Sequence, residues 1–198
     1  MSIRTLVAAC ALLAAVAPAA LRAQEDDIDF ARARKEFVGG NPRAAANTLL
    51  ASSLGVRNQV GRCRDETVGQ ELLDAESGLE KLATALRAGS VKNVKELDEQ
   101  LMKTDRSLAH HHLLLVQAVI SRPRADNIPV AARDVDRAAF HYERSVTLNG
   151  TKLTPEQTAA LEAMRKAGKE IETNNALPAT LNATLKDFEK LITATAGK

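Results

Sequence analysis

Apolar residues in this chain recur at steps of three, four and seven over long stretches, a period that lays side chains along one face of an α-helix and does not suit a strand. The longest stretch runs from Ser90 to Ser121. There Val94, Leu97, Leu101, Leu108, Leu115 and Val119 share a face, and Arg122-Pro123 forbids continuation. Val68, Leu72, Ala75, Leu79, Leu82 and Leu86 form a stripe that stops at Gly89, the residue expected just past a helix end. Val135, Ala138, Ala139, Tyr142 and Val146 form another, entered through Pro129 and closed at Asn149-Gly150. Two more follow: Leu161, Met164, Ala167 and Ile171 before Asn174-Asn175, then Leu181, Leu185, Phe188 and Ile192. Phe30, Ala33 and Phe37 precede Gly39-Gly40-Asn41-Pro42, after which Ala45, Ala46, Leu49 and Val56 resume the pattern.

Composition agrees with this period. Aromatic residues make up 3% of the chain and tryptophan is absent, whereas strands favour aromatic and β-branched side chains. Short turns at Gly89 and Gly150 favour antiparallel neighbours. The expectation is an all-α, antiparallel helical bundle of five to six helices. The glycine turns are unevenly spaced, which argues against a regular helical repeat.

The first residues read differently. Arg4 precedes an apolar run from Leu6 to Ala17, and small residues follow around Pro18. This pattern predicts a signal peptide over 1–23 and a single bundle domain over 24–198, placed in the periplasm or secreted. The run is shorter than the roughly 20 residues a membrane-spanning helix requires, so no membrane span is expected. Arg4 and Arg22 leave with the signal and no acidic residue does, so the remaining chain carries 25 basic and 25 acidic residues. That balance argues against a nucleic-acid partner. Cys10 leaves too, and Cys63 has no cysteine to pair with inside the mature chain. A homodimer through this thiol remains open, as does an unknown protein or small-molecule partner.

The sequence lacks a Gly-rich phosphate loop, paired metal-binding cysteines, a haem-attachment motif and a zinc-protease signature. No catalytic activity and no cofactor are expected. The unusual cluster is His110-His111-His112, with His141 on another helix. Consecutive helical residues point about 100° apart, so the triplet cannot converge on one ion. A metal site would use His112 and His141, completed by Glu143, Glu76 or Glu80. The other reading buries one histidine beside a hydrogen-bond partner. On the long helix Leu101, Asp105, Leu108, His112, Leu115 and Val119 fall on one seam, which makes His112 the inward member of the triplet and requires partners for it and for Asp105 from another helix. Cys63, between Arg62 and Arg64 at the expected start of a helix, is a candidate reactive thiol or a small packed residue.

Leu153-Thr154-Pro155-Glu156-Gln157 resembles the Leu-Thr-x-x-Gln element of the Spy and CpxP type of small periplasmic helical proteins. The second copy usual in that family is missing. The resemblance implies binding of unfolded clients or a role in envelope stress. The same residues also spell a capping box, with Thr154 as cap and Gln157 reaching back. The functional expectation is an exported binding or stress-related bundle, with a metal- or haem-binding bundle as the alternative.

Overall fold

The computed structural model describes residues 28–196, and the proposed signal peptide lies outside them. The described residues form helices joined by turns, with no strand among them. The helices are α1 (Phe30–Val38), α2 (Pro42–Val60), α3 (Glu66–Arg87), α4 (Val94–Ser121), α5 (Ile128–Thr147), α6 (Pro155–Asn174) and α7 (Leu181–Ala196). The all-α bundle is as expected, with seven helices among the described residues where about five to six were expected. Asn41-Pro42 separates α1 from α2, because Asn41 caps the new helix by accepting from the Ala44 N–H at 3.1 Å.

Local chemistry sets most of the other boundaries. Asp65 caps α3 through the Val68 N–H at 3.0 Å, and Asn93 caps α4 through the Glu96 N–H at 3.1 Å. At α6 the box closes both ways: Thr154 Oγ1 accepts from the Gln157 N–H at 3.2 Å, and Gln157 Oε1 accepts from the Thr154 N–H at 2.9 Å. Gly89 and Gly150 take φ of 67° and 86°, which only glycine adopts without strain, and Asn175 ends α6 at φ 48°.

Packing follows chain order and closes twice. Helices α1, α2, α3 and α4 pack in succession, and α1 also meets α4. Helices α4, α5, α6 and α7 do the same, with α7 returning to α4. One helix therefore serves two four-helix groups. Its 28 residues span about 42 Å at 1.5 Å per residue. The apolar interior divides on it accordingly. Leu97, Leu101 and Leu108 join Phe30, Leu49, Leu72 and Leu79 in one core. From Ala109 onward, Leu113, Val116 and Val119 join Tyr142, Leu161, Phe188 and Ile192 in another. Val116 takes the buried place expected for Leu115, which is only half buried, because beyond Leu108 the second group packs on a rotated face of the helix. No described helix is long and apolar enough to cross a membrane.

Candidate functional site

A polar layer lies where the two cores meet. Asp105 and His112 on α4 are seven residues apart, as are Asp134 and His141 on α5. Each aspartate receives the other helix's histidine: His141 Nδ1 lies 2.8 Å from Asp105 Oδ1, and His112 Nδ1 lies 3.0 Å from Asp134 Oδ1. A carboxylate can only accept, so Nδ1–H is the donor in both pairs. This crosswise exchange requires antiparallel helices in one register, since slippage by a turn would separate both pairs. The two imidazoles stack with centroids 5.7 Å apart and planes 3° from parallel. Arg144 adds a two-pronged bond to Asp105 at 2.7 and 2.6 Å, its guanidinium lying over the rings of Phe30 and Phe140. Asp105 is thus fully buried yet accepts three bonds. Burial pushes the His141 pKa down to about 4, although Asp105 pulls it upward.

His111 is not so paired, a state it shares with Arg106 Nε and the Tyr142 hydroxyl. It is 0% exposed, and neither ring nitrogen has a hydrogen-bond partner among the described residues. Burial, aided by repulsion from His112 and Arg62, lowers its pKa to about 3, so the ring is neutral at pH 7. It also forms part of the wall of a cleft of about 930 Å³. Two turns contribute to that cleft. One carries Arg62, Cys63 and Arg64 between α2 and α3, and the other carries Arg122 and Arg124 between α4 and α5. Asn127 staples the second turn: its Oδ1 accepts from the Arg124 N–H at 2.9 Å and its Nδ2 donates to the Arg122 carbonyl at 3.2 Å. Leu114, Leu115 and Val130 supply apolar lining.

The residues singled out in the sequence fall in several places. His112 points inward and finds a partner across the bundle, but it is not alone: His111 is buried as well, because α4 is covered on two sides where its two cores adjoin. His110 lies nearer the surface, 3.2 Å from Glu71 Oε2. Glu76 and Glu80 are held by Arg57, and Glu143 by Arg165. No group of three His, Cys, Asp or Glu among the described residues is arranged to hold a metal ion. Cys63 precedes the first residue of α3 by three positions, packs half-buried against the first core and places Sγ 3.3 Å from the Asp65 carbonyl. Alanine replacements should rank the triplet. His112→Ala leaves Asp134 buried without its histidine and is expected to cost about 1–3 kcal/mol, whereas His110→Ala removes a partly exposed pair and should cost less than about 1 kcal/mol. Urea unfolding of the two variants measures the difference.

Sequence reasoning missed Asp134, although the repeated Asp-x6-His spacing was visible at 105–112 and 134–141. It also missed the cleft, whose signal was a recurring Arg-x-Arg turn. Comparison of the chain with protein families, curated proteins and solved structures returned no match to any of them.

Proposed function

We propose that this chain is an exported binding protein that holds a small molecule in the cleft between its two helix groups and carries out no catalysis. The observation that carries this reading is the cleft, lined by arginines of two turns and leucines of α4 and backed by the wholly buried His111, whose nitrogens lack partners among the described residues. Buried polar groups are almost always bonded, because an unpaired one costs about 1–3 kcal/mol. At 0% exposure the ring is shut off from the open cleft, so a ligand supplies the missing partner only where the wall yields to it. The volume of about 930 Å³ lies within the range of small-molecule sites.

The test is native mass spectrometry of protein purified from its producing cells. The expected spectrum shows a mature chain beginning near residue 24 and carrying a bound small molecule. Leu115→Trp, which fills the cleft from a half-buried position, should abolish that adduct while leaving the helical circular dichroism unchanged. Persistence of the adduct in this variant would place binding elsewhere and overturn the reading.

A second reading, metal or haem binding through His112 and His141, draws on the carboxylates at both Nδ1 atoms. Such carboxylates orient imidazoles whose other nitrogen binds a metal. The same spectrum tests it: a metal or haem mass lost on His112→Ala but retained in Leu115→Trp favours this reading over the first.

A further inference from the structure

The charge of the cleft indicates what kind of molecule it takes. Arg62-Cys63-Arg64 and Arg122-Pro123-Arg124 are far apart in sequence yet line the same hollow. Arg62 bonds Gln59 and Arg124 bonds Asp126, both at 3.2 Å. Arg64 and Arg122 are exposed and have no side-chain partner among the described residues. The two aspartates on the lining are already engaged, Asp65 as the cap of α3 and Asp134 with His112. The N-terminus of α5 adds to the positive character: Asn127 uses its side chain within the turn rather than as a cap, and the first turn of α5 contains no acidic residue. The fully buried His111, without a partner among the described residues, lies behind the same wall. Opposite in character are Leu114, Leu115 and Val130, and the hollow is far larger than an inorganic ion.

Resting on the reading of this cleft as the ligand site, we infer that its ligand is an amphiphilic organic oxyanion. A carboxylate or phosphate head lies at Arg64 and Arg122, and an apolar body lies along Leu114 and Leu115. Guanidinium pairs suit either head group, because both present two oxygens to the fork of donors.

Calorimetric titration of the mature protein with decanoate, decyl phosphate, decanol and inorganic phosphate tests this. One of the charged amphiphiles is expected to bind one to one, and either head group supports the assignment. Added salt should weaken binding, and the double variant Arg64→Gln/Arg122→Gln should weaken it by about tenfold or more. Both arginines are exposed, so the variant should fold, and circular dichroism checks this. Leu115→Trp should block binding. If decanol binds as tightly as decanoate and Leu115→Trp blocks it, the oxyanion assignment falls while the cleft remains a ligand site. If the charged amphiphiles bind but ignore the double variant, the assignment to these arginines is overturned. Inorganic phosphate binding as tightly as decyl phosphate removes the apolar body from the assignment. Absence of binding by all four probes overturns the oxyanion inference, while the native mass spectrum decides separately whether the cleft holds a ligand.

Discussion

Asp105→Ala is expected to be the most damaging single substitution in the polar layer, costing about 3–5 kcal/mol. The carboxylate is fully buried and accepts from His141 and twice from Arg144. Its loss strands a largely buried guanidinium, whose desolvation is then unopposed. The urea midpoint should fall by the corresponding amount with little change in slope, because the surface exposed on unfolding is nearly the same. The same variant should lower the His141 pKa below its already depressed value of about 4, since Asp105 is the influence that raises it. Proton-detected titration of that ring measures the second effect. Stability unaffected by Asp105→Ala would remove the polar layer from any role in holding α4 against α5.

His111→Leu should act in the opposite direction. Replacing a buried, unbonded imidazole with an apolar side chain removes a desolvation cost and is expected to stabilise the ligand-free protein by about 1–3 kcal/mol at pH 7. The gain should grow in acid. His111 is held neutral in the folded chain, with a pKa of about 3, whereas in the unfolded chain it titrates near 6.5. Between those values the unfolded state binds the extra proton. Wild-type stability therefore falls as pH drops from 6.5 towards 3, with a slope approaching roughly 1.4 kcal/mol per pH unit from this residue. The variant lacks this contribution, so the difference between the two stability profiles isolates it. A constant difference from pH 7 to pH 4 would mean that His111 is solvated in solution.

Much of the fold was legible because one-dimensional signals suffice for helices. Gly89 and Asn149-Gly150 punctuate at the observed ends, and the Thr154-Pro155-Gln157 box starts α6 as written. The helix count was harder, because the stripe of Phe30, Ala33 and Phe37 before Gly39-Gly40-Asn41-Pro42 is short, and it forms a separate helix of nine residues. Burial of His112 and the need of Asp105 for a distant partner followed from a seam of alternating steps. The seam failed at Leu115, because its single face assumed one core along α4 where there are two. The cleft was not legible for a related reason. Arg64 and Arg122 lie on turns, where no periodicity says which turns become neighbours, and only the doubling back of the chain brings them together.

The sharing of α4 also bears on the order in which the molecule can be made. A ribosome releases the chain from its N-terminus, and domains generally fold in that order. Once Ser121 has emerged, α1 to α4 hold every fully buried side chain of the first core before α5 emerges, and Arg144 and Leu148 cover it later. Helices α5, α6 and α7 have no such independence, because the surface they must cover is on α4. The later half is therefore templated by the earlier one. Two aspartate and histidine pairs set the register in which the newcomer α5 is received.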